Sequence, residues 1–289
     1  MSQTLEEGPL QDAAILTRAV ESVFRKLVRL LMGRMSLIKL QEMIRIVFVE
    51  EAEEHLKKEQ PGRKVAMTKL ALLTGLDTRT LSRILGDKTI NFPLYKKEKF
   101  LREMTPEGTV LDYWKNNRSF LKKTSLEPLV LDIKGSPHSF EALVKETLSA
   151  RGVTPSSILK NLVYAKSVHL DSIGQKVTLL NSLYMPFDFS GNTAQLEISL
   201  ATVGNLIQTI IHNFETKNHS EEAFFQRASW SHRFNPQFLL KLRKEIKGYL
   251  IKAEQEAVKI MENYEEDEFI EGQRTAGFGL FYFEDETSI

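Results

Sequence analysis

Leu16, Val20, Val23, Leu27 and Leu30 recur at steps of 4, 3, 4 and 3, which puts one apolar stripe on a helix over residues 11–32. Gly33 stands where a glycine in a left-handed backbone ends such a helix. Ser36 is a candidate N-cap for a second helix over 36–58, with Leu40, Met43 or Ile44, Val47 and Phe48 on its apolar face. "EQPGRK" at 59–64 reads as a turn, and helices over 67–73 and 78–85 follow. Residues 86–106 are lysine-rich and read as irregular or weakly helical. A short helix over 107–116 leads to "SFLKK" and "PLVLDI", which read as two short strands joined by a turn at 124–127.

"GSPHS" at 135–139 is a linker by composition. Beyond it, "SFEALVKETLSA" is helical, and Thr154-Pro155 is a cap with proline at the first helical position before "SSILKNLVYA". "SVHLD" and "KVTLLN" alternate as strands around "SIGQ", a hairpin turn. Helix, turn, helix and two-stranded wing therefore occur twice in the same order, without a residue-level repeat. After the linker "MPFDFSGN", residues 194–216 carry Leu196, Leu200, Val203, Ile207, Ile210 and Phe214 on one helix face. Asn235-Pro236 opens a long helix to about 264. Its Leu239, Leu242, Ile246, Tyr249, Ala253, Ala257, Ile260 and Tyr264 form nearly a heptad seam.

The fold class expected is α+β, mainly α, with tandem winged-helix-like units followed by a helical C-terminal region. The predicted divisions are a winged helix-turn-helix over 11–133, a second winged-helix-like unit over 138–186, a helical region over 194–264 and an acidic, aromatic tail over 265–289. The 235–264 helix is the expected homodimer interface, although its seam could equally pack on 194–216 within one subunit. Phe224, Phe225 and Trp230 are expected to anchor the core between the long helices, and Phe278, Phe281, Tyr282 and Phe283 to dock as an extended segment.

Composition changes this picture little. With 42% apolar and 27% charged residues the chain can bury a real core. It has no cysteine, which removes disulfides, thiolate catalysis and cysteine-ligated metal sites. The first 30 residues do not read as a secretory signal, and no run of 18 uncharged apolar residues suggests a membrane span, so a cytoplasmic protein is expected. Net charge is only +1, but it is unevenly spread. Residues 57–102 hold 12 basic and 4 acidic residues, whereas 262–286 hold 1 and 9. A basic region near the front and an acidic tail are thus separated along the chain.

The basic region contains "MTKLALLTGLDTRTLSRIL" at 67–85. Two helices cross steeply over a short turn only when the turn holds a residue free to take positive φ and a small residue allows close approach. Gly75 and Ala71 supply these, while Leu70, Leu76, Leu81 and Ile84 occupy the apolar contact positions. Asp77 or Thr78 caps the second helix, leaving Thr78, Arg79, Thr80, Ser82 and Arg83 to face outward. In a helix-turn-helix the second helix enters the major groove, where arginine pairs bidentately with guanine. Lys88, Lys96, Lys97 and Lys99 would then meet phosphates, with Arg118, Lys122 and Lys123 on the wing.

The stretch resembles the helix-turn-helix of bacterial transcriptional regulators, departing at Thr74, where that family usually has an apolar residue. Over the whole chain, "LVRLLM", "IVFVEEAEE", "GRKVAMTKLALLTGL", "VLDYW", "SFEALVKE", "FQRASWSH" and "GFGLFYFEDE" resemble a domain-of-unknown-function family of uncharacterised proteobacterial proteins of about this length. That resemblance implies a cytoplasmic bacterial protein with a winged-helix-like N-terminus. It brings no established activity and no catalytic residues.

Catalytic chemistry has no visible signature. The six histidines show no metal-ligand spacing, "GFG" at 277–279 lacks the context of a phosphate loop, and "VEEAEE" and "YEEDE" read as solvated charge. The expectation is a protein that is not an enzyme, with no cofactor, no metal, no identifiable small-molecule ligand and no membrane partner. Its expected partner is double-stranded DNA, bound as a transcriptional regulator. The rival expectation is a protein-interaction scaffold that uses winged-helix units as docking surfaces.

Overall fold

The computed structural model describes residues 3–86, 93–148, 152–184, 193–216, 222–266 and 271–284. The chain divides into two compact units, residues 1–188 and 189–289. It is mainly helical, with one small three-stranded sheet. No described helix is long and apolar enough to cross a membrane.

The first unit opens with α1 (Gln3–Leu31), which starts before the predicted boundary and runs through Pro9. Gly33 at φ 76° turns the chain. Ser36 then caps α2 (Leu37–Glu59), its hydroxyl accepting from the Lys39 amide at 3.3 Å. α3 (Met67–Thr74) and α4 (Thr78–Gly86) follow. Val49 and Ala52 of α2, Leu70 of α3, and Leu81 and Ile84 of α4 close a small core. Helix α5 (Glu98–Arg102) comes after a 3-10 turn at Leu94–Lys96.

A second, larger core lies in the same unit. It is built by α6 (Pro106–Asn116), β1 (Leu131–Asp132), α7 (Phe140–Leu148), α8 (Pro155–Tyr164), β2 (Val168–Leu170) and β3 (Lys176–Leu179). Thr105 caps α6 by accepting from the Gly108 amide at 3.1 Å, and Thr154 caps α8 by accepting from Ser157 at 3.2 Å. Both helices begin with the proline whose missing N–H costs nothing at that position. Trp114 is fully buried at the centre. Its indole N–H donates to the Leu129 carbonyl at 3.1 Å, and its ring meets Phe140 edge-on at 6.1 Å. The strands are antiparallel in the order β1-β3-β2, with Leu131 opposite Val177 and Val168 opposite Leu179. Asp171 holds the hairpin by accepting from the Gln175 and Lys176 amides at 2.7 and 3.1 Å, and Gly174 takes φ 69°.

This arrangement corrects the predicted wing of the first unit. "SFLKK" is not a strand: residues 118–120 form a 3-10 turn, and a single bridge joins Leu121 to Pro128. Pro128 has no N–H to extend a ladder. The chain beyond it finds its partner on β3 instead, so 106–133 packs into the second core with Phe120 and Leu131 buried there. Among the described residues no strand packs with α3 and α4.

The second unit contains α9 (Thr193–Glu215) and α10 (Leu239–Glu262). An extended segment lies along the end of α9. Asn213 brackets Phe224, accepting from its amide at 2.8 Å and donating to its carbonyl at 3.1 Å, and the His212 ring stacks on Phe224 at 3.8 Å. No described residue of this unit is buried. Phe224, Phe225 and Trp230 are therefore not core anchors: all three are exposed, and side-chain and backbone contacts with α9 hold the segment in place of burial. The aromatic tail is extended and docked. Arg243 of α10 pairs bidentately with Glu284, Tyr282 donates to the same carboxylate at 2.8 Å, and Phe278, Leu280 and Tyr282 share a groove with Leu250 and Ile251. On α10, Leu239, Leu242, Ile246, Ala253 and Ala257 of the seam are half-buried, and Tyr249, Ile260 and Tyr264 are exposed.

Candidate nucleic-acid interface

The turn between α3 and α4 is built as its residues require. Gly75 takes φ 68°, ψ 10°, and its N–H donates to the Ala71 carbonyl at 2.9 Å, closing α3. Leucine or alanine there would be strained by the left-handed backbone. Thr74, polar at a position expected to be apolar, is half-buried and satisfied. Its hydroxyl donates to the Leu70 carbonyl at 2.7 Å and accepts from the Leu76 amide at 3.3 Å. A hydroxyl thus fits this site because it bonds the backbone on both sides of the turn.

Asp77, one of two candidate caps, is the residue that caps α4. Its carboxylate accepts from the Thr80 amide at 2.8 Å and from the Thr80 hydroxyl at 2.7 Å. The Thr80 hydroxyl bond and the Thr80 amide hold the Asp77 carboxyl below the usual aspartate range. Thr80 is consequently not an outward contact. It is half-buried and its donor is taken. Leu81 and Ile84 point into the core, which leaves Thr78, Arg79, Ser82 and Arg83 exposed on one face. Arg79 and Arg83 have no ion-pair partner among the described residues.

The structure brings part of the predicted phosphate set beside this face. Arg83, Lys96, Lys97 and Lys99 line one groove between α2, α4 and the start of α5. Lys96 and Lys99 are exposed and Lys97 half-buried. Lys88 lies outside the described residues. Arg118, Lys122 and Lys123 are exposed, but they belong to the 118–127 turn of the second core, where Lys122 pairs with Glu127 at 2.8 Å.

Lys39 and Arg45 of α2 also line the groove, and sequence reasoning missed both. They stand some forty residues before α4 on a helix read only for its apolar stripe. Lys39 is committed to structure. Its ammonium donates to Glu42 at 2.9 Å and Glu103 at 3.0 Å, and lies 5.2 Å from the centre of the Phe100 ring. Burial opposes its charge, but the two carboxylates outweigh that and raise its pKa above the ordinary lysine value. The groove's acids are all paired: Glu42 and Glu103 with Lys39, and Glu98 with Arg102 at 2.6 Å. Arg45, Arg83, Lys96 and Lys97 are left as its uncompensated cations among the described residues. The arrangement suits an extended polyanion, with arginine forks on the helix and lysines beside it.

Outside this region, no three His, Asp or Glu side chains among the described residues come together as metal ligands would. The molecule is therefore a mainly helical protein with two three-helix cores in its first unit, one of which carries a small sheet. The chain belongs to the family of unknown function DUF6502, which matches residues 13–238. Comparison with curated proteins finds no match.

Proposed function

We propose that this protein is a DNA-binding transcriptional regulator in which α3 and α4 form the helix-turn-helix. The observation that carries the reading is the outer face of α4. It presents Thr78, Arg79, Ser82 and Arg83, and it adjoins a groove whose acids are paired and whose Arg45, Lys96 and Lys97 are not. In the proposed complex α4 lies in the major groove, Arg79 and Arg83 reach base edges, and the groove cations contact phosphate. The described residues offer this first module no strand for a wing, so its phosphate contacts come from α2 and from 94–99.

We further propose that residues 106–179 are a winged helix. The order helix, strand, helix, helix, strand, strand and the sheet order β1-β3-β2 support this, with α8 as third helix and 171–175 as wing tip. One observation favours the second reading, a docking scaffold, for this module. The outer face of α8 carries Ser156, Lys160 and Tyr164 with a single cation, Tyr164 is 83% exposed, and Ile173 stands 76% exposed at the hairpin tip. That face suits protein better than phosphate.

The test is selection of bound sequences from fragmented genomic DNA near physiological salt, with Arg79→Ala/Arg83→Ala alongside. A shared site enriched by the wild type and lost by the variant is the expected outcome. Each arginine should be worth about 1–3 kcal/mol of discrimination at the site, whereas Lys96→Ala/Lys97→Ala should lower the slope of log affinity against log salt by about 2. Equal enrichment by both proteins, or none, refutes base reading by α4.

A further inference from the structure

We propose that α1 pairs antiparallel with α1 of a second copy of this chain, making the protein a dimer through its N-terminal helix. Every described residue from 8 to 26 is exposed, including Leu16, Val20 and Val23 of the apolar stripe and Leu10 and Phe24 beside it. A helix of 29 residues with an amphipathic face gains most of its stability from covering that face. Leu16 is 66% and Val23 59% exposed, so the described residues of the first unit leave the stripe without that cover. At roughly 150–200 Å² of surface per such residue, the large apolar side chains of α1 leave on the order of 600 Å² uncovered per copy, close to the ~800 Å² per partner of a standard interface.

Charge selects the partner and its direction. Residues 3–14 carry three acids and no base, whereas 15–34 carry five bases and one acid. Parallel pairing would set acid against acid and base against base. Antiparallel pairing sets each acidic end against a basic one and opposes the helix dipoles. The heptad register agrees. With Val20 facing Val23 of the second copy, Leu16 faces Leu27 and the small Ala13 faces Leu30.

Sedimentation analysis of the full chain at micromolar concentration tests the pairing. Wild type is expected as a dimer. Val20→Glu/Val23→Glu should be a monomer, and Ser22→Glu, on the polar face, should stay dimeric. Trp114 emission should be unchanged in all three, since residues 20–23 are outside both cores, whereas the far-UV helical signal should fall in the double glutamate variant alone as α1 loses its cover. Because the chain has no cysteine, orientation is read by Ala13→Cys and Leu30→Cys proteins, mixed, allowed to exchange and oxidised. A mixed disulfide dimer is expected, and Ala13→Cys alone should not link to itself. A monomeric wild type, a dimer that survives the double glutamate change, as one built on α10 would, or self-linking of Ala13→Cys would each overturn the proposal.

Discussion

Gly108 sits in the first turn of α6, is buried, and does not take a positive φ. Replacing a helical glycine with alanine ordinarily stabilises by about 1 kcal/mol, because the backbone has less freedom to lose. Here the sign should reverse. A Cβ at 108 would overlap the Arg102 carbonyl oxygen and come within 3.4 Å of the Thr105 hydroxyl. The obstacle is backbone, so no rotamer change relieves it. α6 must move away from the end of α5, and that movement opens the 3.1 Å cap from the Gly108 amide to Thr105. Overpacking costs about 1–3 kcal/mol. Losing the cap costs about 1 kcal/mol, which offsets the propensity gain. The net expectation for Gly108→Ala is a loss of about 1–3 kcal/mol, or about 1 M in urea midpoint at an m-value near 2 kcal/mol/M. Tryptophan emission is the assay, since Trp114 is fully buried in this core while Trp230 is 66% exposed and changes little on unfolding. Gly248→Ala, on α10 of the second unit, is the contrasting case: its added methyl would meet nothing within 4 Å, and unfolding followed by far-UV dichroism should show it stabilised by up to about 1 kcal/mol. A Gly108→Ala midpoint at or above wild type, with unchanged m-value, would refute the argument.

Leu81→Ala should cost about 2–5 kcal/mol in the first core, because Leu81 is fully buried against α2 and α3, and urea unfolding followed by far-UV dichroism reads it. On the proposed function the same change should also weaken binding to DNA, since Leu81 anchors α4 in the core. The Asp77 cap should depend on pH with a defined sign. Its folded pKa is depressed, so its contribution is present above the ordinary aspartate range and lost as pH falls through the lower folded value. The Thr80 amide resonance should therefore shift with a midpoint below 3.8. Tyr184 should behave in the opposite way. Burial, with a smaller contribution from Glu107, pushes its phenol up to about 12, so its contribution is full below pH 10 and is lost as pH rises towards 12. Tyr113 and Tyr282 are also held above the ordinary tyrosine value by hydrogen bonds to Glu146 and Glu284, so phenolate absorbance should show several late-titrating tyrosines, of which Tyr184→Phe removes one.

The local grammar of the chain is legible from its residues. Ser36 and Thr154 cap the helices they precede, and Gly75 turns α3 into α4, because each of these outcomes depends on neighbours within four residues. Pairings at a distance are not legible in that way. Leu131 meets Val177 across 46 positions, and nothing near Leu131 distinguishes that partner from the nearer 118–123 segment. Arg45 joins the groove only because α2 packs on α4. Thr80 fails as an outward residue for a local reason that helical spacing does not show, since Asp77 is there to claim its hydroxyl. Phe224 and Trp230 mislead because aromatic residues signal burial on average, and here the Asn213 side-chain amide bonds the Phe224 backbone and fixes the segment without it.

The two cores of the first unit also differ in when they can form as the chain leaves the ribosome. The α2–α4 core needs nothing beyond Ile84, and its contacts span a few dozen residues. The second core needs Val177 of β3, the strand that holds both β1 and β2. Until that strand emerges, Leu131 and Val168 have no ladder between them, and α6 and α7 wait with Trp114 incompletely covered. Vectorial synthesis therefore gives the α2–α4 core a head start of about ninety residues, or several seconds at ordinary translation rates. Close local contacts should let it fold within that interval.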